Sequence, residues 1–551
     1  MNPLLKKFFE KPIFILLAVN IIVGLFVYRD YGLSWDEPLF YDYGNSLGYA
    51  YSPQEWFSGR FDVDNSYGAS GDDHKTRGPA YLLLARGPVH LLESLGLDQA
   101  SAWHLINFLF FQLGAYFLYR LSTRWMKPYA ALAASALFAW QPMLWGHAFI
   151  NPKDPPFLTF FLASVCLGFE MVDRLNEGNK KFFTIILPAV ILGITTSIRV
   201  LGPLAGLLVF IYFVFVISQK RHPSGFVTYH PGMGPWLTFF VYGTVAIIAM
   251  FLTWPFLWES PVARFIEVFR LMSDNPTNLS VLFGGAVYRA GELPLRYLPH
   301  MLVTTLTEPV WILFIMGVFT GYWKLINQNL HVVASEAKQS PHLQRWNVVL
   351  KTQNIISLTL VLLWFLLLLA YVLIRRPAMY DGIRHFLFII PPVFIFTGLA
   401  FDFLSEHITS SWLYAGMVFA ILLPGIFGIA RLHPYEYTYY NAFVGGTENA
   451  FRNYETDYWL TCYKEAVEEL NASTAEPIGL YVHREAYISE YYANDNIKVY
   501  QLRGAAGQVT SGDYVLVNTR TNEDRRILRD VPPFLEIKRG NALFCIIKRA
   551  P

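Results

Sequence analysis

GPAYLLLARGPVHLLESLGL, residues 78–97, decides how this chain is threaded. If it crosses a membrane, every later segment changes sides; if it lies along the surface, the alternation holds. Arg86, His90 and Glu93 interrupt its apolar run and make it amphipathic, so we read it as an interfacial helix. With that reading, Lys6, Lys7 and Lys11 before the first apolar run (12–28) put the N-terminus in the cytoplasm. Further apolar runs follow near 103–120, 129–147, 156–172, 182–198, 200–217, 235–254, 301–323, 354–374, 385–402 and 411–430. Alternating through them places Arg120, Arg124 and Lys127, then Lys180 and Lys181, Lys220 and Arg221, and Lys324 through Lys351 all inside. The expected fold is an α-helical polytopic membrane protein of about 11 spans.

Composition agrees. The 551 residues are 54% hydrophobic and 15% charged, too apolar for an ordinary soluble enzyme. The net charge of +2 is uninformative and argues for no nucleic-acid partner. Cys166, Cys462 and Cys545 form no metal-ligand spacing and no disulfide framework. An oxidising compartment would let Cys462 and Cys545 pair, but no spacing signature favours it, and we read them as unpaired. Residues 1–430 form the transmembrane domain, with a long first outer loop at 29–102. Residues 431–551 change to soluble-like composition: a helical stretch near 456–470, then β-rich runs at 478–483, 497–502, 513–519 and 542–548. This pattern predicts a small α/β domain outside the membrane.

Three outer segments carry ionisable groups to one surface. Asp36 and Glu37 follow the first span, and DDHKTRGP (72–79) lies in the same loop. NPKDPP (151–156) supplies Lys153 and Asp154, and RRPAMYDGIRH (375–385) supplies Asp381, Arg384 and His385. Charges at membrane depth are costly and mark function by default. Plainer roles exist: Asp154 before Pro155 suits a helix start, and Asp36 or Glu37 suits a helix dipole. Arg199, at the end of an apolar run, is read as snorkelling to the surface. As a set, the groups suit transfer from a phosphate-linked donor. A carboxylate takes the acceptor proton, and a metal, Lys or Arg neutralises the leaving phosphate. Hard carboxylate ligands favour Mg²⁺ or Mn²⁺. No Walker or Rossmann fingerprint is present to cradle a soluble nucleotide.

The ordered motifs resemble the GT-C glycosyltransferases, in the branch of the protein O-mannosyltransferases and the aminoarabinose lipid A transferases. The matching residues are Trp35-Asp36-Glu37, DDHKTRGP, NPKDPPFLTFF (151–161), TTSIRVLGPL (195–204), GELPLRYLPHML (291–302) and IRHFLFIIPPVF (383–394), spread over most of 1–430. The resemblance implies Asp36 as catalytic base with Glu37 beside it, Asp154 and Asp36 toward a metal, and Lys75 and Arg384 toward the donor phosphate. Where relatives carry a Pro-Pro-Leu-like run, this chain has Thr76-Arg77-Gly78-Pro79, so Arg77, His74 and Lys153 stand beside Lys75 as phosphate candidates, with His385 next to Arg384. The implied reaction moves a sugar, with inversion, from a polyprenyl-phosphate donor to a protein, lipid or glycan hydroxyl at the outer face of the plasma (inner) membrane. The alternative is a lipid-linked sugar transporter or flippase. It calls for charge near mid-membrane and internally repeated, broken helices, neither of which is visible in the sequence.

Overall fold

The computed structural model describes residues 11–178, 181–218, 234–274, 277–336 and 341–551, with side chains of 72–73, 273–274, 328–336 and 341–351 set aside. Lys6, Lys7, Lys180, Lys220 and Arg221, on which part of the expected orientation rests, lie outside the described residues.

The principal helices of the first 430 residues are α1 (Ile13–Val27), α2 (Glu37–Ala50), α3 (Ala80–Ser94), α4 (Gln99–Ser122), α5 (Pro128–Ala139), α6 (Pro142–Ile150), α7 (Asp154–Asn176), α8 (Phe182–Ile198), α9 (Pro203–Ser218), α10 (Pro235–Leu252), α11 (Pro261–Asp274), α12 (Tyr297–Thr305), α13 (Pro309–Glu336), α14 (Pro341–Arg375), α15 (Pro391–His407) and α16 (Ser411–Leu432). Among the described residues, five stretches are long and apolar enough to cross a membrane: α7, α10, α16, residues 309–327 of α13 and residues 352–375 of α14. Four shorter apolar helices, α1, α5, α8 and α9, accompany them. Several of the expected apolar runs are broken, as at 129–147 and 301–323.

Two of those breaks hold each other. The run at 129–147 stops at Gln141-Pro142, since Pro142 has no N–H to continue the ladder. Gln141 Nε2 donates to the Leu137 carbonyl (2.8 Å) and to Thr307 Oγ1 (2.9 Å). Its Oε1 accepts from the Thr307 N–H at 2.9 Å, within the break between α12 and α13. Irregular backbone inside an apolar bundle persists only when its polar groups are paired in this way.

Within 78–97, α3 covers Ala80–Ser94, and its 15 residues reach about 22 Å, short of a roughly 30 Å hydrocarbon core. Tyr81, Leu82, Ala85 and Val89 face inward while Leu84, Leu91 and Leu95 stay exposed. Helices α13 and α15 meet at Gly317, where a Cβ would overlap the Phe396 carbonyl oxygen; the missing side chain sets their distance.

After α16 the chain forms α17 (Cys462–Ser473), α18 (Ala486–Tyr492) and a five-stranded sheet of β3 (Ile478–Val482), β4 (Ile497–Gln501), β5 (Tyr514–Asn518), β6 (Pro533–Arg539) and β7 (Ala542–Arg549). The order is β4-β3-β5-β7-β6, with β3 parallel to both neighbours and β7 antiparallel to its own. Side chains alternate: Leu480, Val482, Leu516 and Ile547 join the main core, while Tyr481, Val515, Val517 and Ile546 form a smaller cluster on the other face. Two β elements went unread in the sequence, as did helices α2 and α11 in the outer loops. The β elements are β6, an edge strand opening on a proline, and the hairpin β1–β2 (Ser280–Phe283, Ala286–Arg289) in the third outer loop. Cys462 and Cys545 are disulfide-bonded, which corrects the reading of unpaired thiols; the bond ties the first turn of α17 to β7.

At the junction of the two parts, His433 sits between two carboxylates. Nδ1 lies 2.8 Å from Glu436 Oε1 and Nε2 lies 2.8 Å from Asp30 Oδ2. Burial opposes protonation, but the two carboxylates outweigh it and raise the imidazole pKa. The stabilisation is complete below the ordinary histidine pKa and is lost as pH rises through the raised one. We expect wild type to melt above His433→Gln near pH 6, with the gap closing as pH rises into the alkaline range. Thermal unfolding in detergent across that range checks this.

Candidate active site

Asp36 is the N-cap residue of α2, yet its side chain makes no cap hydrogen bond. Glu37, the first helical residue, is tied down differently. Its Oε2 accepts from the Ser34 N–H (2.7 Å), and its Oε1 accepts from Tyr41 Oη (2.5 Å) and lies 3.1 Å from His104 Nε2. Glu37 is fully buried with both oxygens engaged, so the structure turns it away from Asp36 and into the packing of α2 on α4.

Asp154 opens α7, followed by two prolines that suit a first helical turn. The cap comes from Asn151, whose Oδ1 accepts from the backbone N–H groups of Lys153 (3.1 Å) and Asp154 (2.9 Å). The Asp154 carboxylate is thereby released to other partners. It accepts from Asn151 Nδ2 at 3.0 Å, pairs with Arg199 at the end of α8, and lies 3.5 Å from Arg384 Nη1. Arg199 is therefore an ion-pair partner, not a snorkelling anchor.

Arg384 links the segments. Its Nη1 also donates to Asp36 Oδ2 at 3.4 Å across 348 residues of sequence, and its Nη2 lies 2.9 Å from Asp381 Oδ2. Asp381 and Gly382 both have positive φ (56° and 64°), a tight turn that aims the Asp381 carboxylate back at Arg384. Arg384 stacks over Trp459 and Tyr380, with centroid distances of 4.9 and 5.2 Å. Of the acidic groups it meets, Asp36 is the most accessible at 21% exposure, against 2% for Asp154 and 0% for Asp381.

Phe40, one turn along α2 from Asp36, gathers the other cations. Arg77 and Lys153 each lie 5.8 Å from its ring centroid, and His74 packs edge-on at 5.0 Å. Arg77 reaches this position because Gly78 lies flush on the Ser197 carbonyl, where a Cβ would overlap it; the contact seats TRGP against the end of α8. Lys75 is half-buried and tied through its carbonyl to Trp254 Nε1 (3.3 Å). His385 packs against Tyr380 at 4.7 Å.

The electrostatics report one crowded cationic pocket. Burial pushes Lys153 well below the usual lysine range, reinforced by Arg77 and Arg199 against the pull of Asp36. Burial, with Arg384, Arg199, Lys153 and Arg77, holds His385 neutral. His74 is lowered to about 4 by burial and by Arg77. Arg384 alone moves the other way, held protonated despite burial by Asp381 and Asp36. Arg199 Nε and Arg384 Nε are buried and donate to no protein atom among the described residues.

This donor set does not fit the expected Mg²⁺ or Mn²⁺. Among the described residues no group of three or more His, Cys, Asp and Glu is placed to hold a metal. Asp36 and Asp154 instead share one guanidinium nitrogen, and a divalent cation there would add like charge to Arg77, Lys153, Arg199 and Arg384. An anion is what the pocket can accept.

No protein-family model and no curated protein matches the chain. Solved structures similar to it include the Archaeoglobus fulgidus oligosaccharyltransferase in the apo form, at 11% identity and a TM-score of 0.47, covering 94% of this chain and 70% of that one. A second is the archaeal oligosaccharyltransferase AglB from Archaeoglobus fulgidus in complex with an inhibitory peptide and a dolichol-phosphate, at 11% identity and a TM-score of 0.46, covering 95% and 71%. A third is the Archaeoglobus fulgidus enzyme in complex with Zn and sulfate, at 12% identity and a TM-score of 0.41, covering 92% and 68%.

Proposed function

We propose that the chain is a membrane-embedded glycosyltransferase of GT-C type, moving a sugar from a polyprenyl-phosphate donor to an acceptor hydroxyl at the outer face of the plasma (inner) membrane. The observation that carries this reading is the convergence of one accessible carboxylate, Asp36, with four cations from three outer segments and the end of α8, two of which keep buried, unpartnered N–H groups. An acid acceptor next to an anion pocket is what phosphate-linked transfer requires.

In the step we infer, the acceptor oxygen attacks the anomeric carbon and gives its proton to Asp36. The bond from that carbon to the phosphate oxygen breaks, and the polyprenyl phosphate leaves with the electron pair. One displacement inverts the anomeric centre. Arg384 and Arg199 meet the departing charge through their free N–H groups, and Lys153 and Arg77 supply further positive potential. Burial and its cationic neighbours lower Lys153, and an arriving phosphate favours its protonated form. Asp154 orients Arg199 and Arg384 rather than holding a metal. Disulfide formation between Cys462 and Cys545 supports an outer location for the C-terminal sheet.

The transporter reading is less favoured, because the charged cluster sits at helix ends and connections rather than in mid-helix. Reconstitution with polyprenyl-phosphate sugars separates the two. Release of polyprenyl phosphate supports transfer, whereas movement of intact donor across sealed vesicles without cleavage would replace it. Within the transfer reading, Arg384→Gln should weaken donor use roughly 10- to 100-fold, the worth of a charge-assisted hydrogen bond or two. Steady-state kinetics with varied donor reads this directly.

A further inference from the structure

Arg520 lies just past the end of β5 and is a fully buried arginine, 0% exposed, in a segment rich in exposed charge. Its donors are taken up by protein. Nη2 pairs with Asp381 Oδ1 at 2.7 Å, Nε with Glu455 Oε1 at 2.8 Å, and Nη1 donates to the Tyr458 carbonyl at 3.4 Å. A guanidinium so engaged has little left to offer a substrate. What it touches, however, is the support of the site from two directions.

On one side, Asp381 is shared: Oδ1 receives Arg520 and Oδ2 receives Arg384. Trp459 Nε1 adds a third bond to the same carboxylate at 3.1 Å. On the other side, the Arg520 guanidinium stacks 4.7 Å over the ring of Trp35, the residue before Asp36. The backbone of Trp35 is gripped from the same domain: its N–H donates to the Trp459 carbonyl (3.3 Å), and its carbonyl accepts from Tyr487 Oη (2.5 Å). One side chain therefore fixes both the carboxylate that aims Arg384 and the ring that anchors Asp36. A sheet packed beside the membrane part merely for stability needs neither contact, and burying a charge there is costly unless it is fully paired.

We propose that Arg520 is a positioning residue for Arg384 and Asp36, so that the C-terminal sheet domain is part of the active site. The inference rests on the donor reading above, in which Arg384 meets the lipid phosphate. Without Arg520, Asp381 loses the partner that opposes Arg384, and the Asp36–Arg384 geometry relaxes.

The test uses the full-length protein in detergent and undecaprenyl phosphate as probe, with binding measured calorimetrically. Arg520→Gln removes the charge; Arg520→Lys keeps it but cannot hold Asp381, Glu455 and the Trp35 ring in one planar fork. Arg520→Lys should melt close to wild type and bind the probe about 10-fold more weakly, and Arg520→Gln roughly 10- to 100-fold more weakly, the range found when the support of a ligating group is removed. In an Arg384→Gln background neither substitution should weaken binding further, a non-additivity that general destabilisation does not produce. Wild-type binding left unchanged by Arg520→Lys, or losses that add in full to Arg384→Gln, overturns the positioning role while sparing the donor reading. Failure of the wild type to bind undecaprenyl phosphate overturns both.

Discussion

Asp36→Asn protein, reconstituted with a polyprenyl-phosphate sugar, is expected to lose transfer by about 10²- to 10⁴-fold, the usual worth of a positioned general base. Asparagine is nearly isosteric and can still lie beside Arg384 Nη1, so the cluster should stay assembled. The Asp36 side chain makes no cap bond to α2, and its one ion-pair contact among the described residues is the long one to Arg384 at 3.4 Å, which an asparagine oxygen can also accept. Purification yield and melting temperature should accordingly match wild type. Turnover within a few-fold of wild type would remove Asp36 from the mechanism; collapse of the fold would show that its charge is structural.

Asp381→Ala is expected to be the most damaging single change to stability near the site. The carboxylate is completely buried and lies between Arg384 and Arg520. Removing it leaves two buried guanidinium groups facing each other, with Glu455 the remaining partner of Arg520 and only the longer contacts to Asp36 and Asp154 (3.4 and 3.5 Å) left to Arg384. Breaking a buried pair from one side typically costs about 3–5 kcal/mol, because the stranded charge has no water to turn to. The second loss is the Trp459 indole bond. The measurable result is a large fall in melting temperature in detergent, or failure to purify as a monodisperse species. A melting temperature within a degree or two of wild type would contradict the buried ion-pair network.

How much of this was legible beforehand depends on the range of the interaction. Apolar runs and turn residues act locally, and each expected run falls on helix. Breaks such as Gln141-Pro142 were hidden because their cost is met by a distant partner, Thr307. Asp36, Asp154 and Arg384 stood out as charges in short outer segments, and the structure brings all three together. The division of labour between Asp36 and Glu37 was not readable. Both are carboxylates at a helix start, and the difference lies in Tyr41 and His104, one turn and one helix away. Arg199 looked like an interfacial anchor because its partner, Asp154, sits 45 residues earlier. Arg520 carried no signal at all: among Arg520, Arg525 and Arg526, spacing does not tell which is buried. Asp72 and Asp73 lie where side chains are not described.

The shared Asp381 also bears on the order of events during synthesis. Asp36 and Trp35 leave the ribosome early, yet Trp459, Tyr487 and Arg520, which grip Trp35 or Asp381, are translated after every membrane helix. A nascent or prematurely terminated chain ending before residue 455 would display the Asp36–Arg384 pair with Asp381 held from one side only. The arrangement around Asp381 is therefore completed only once the C-terminal segment is in place, and fragments lack it.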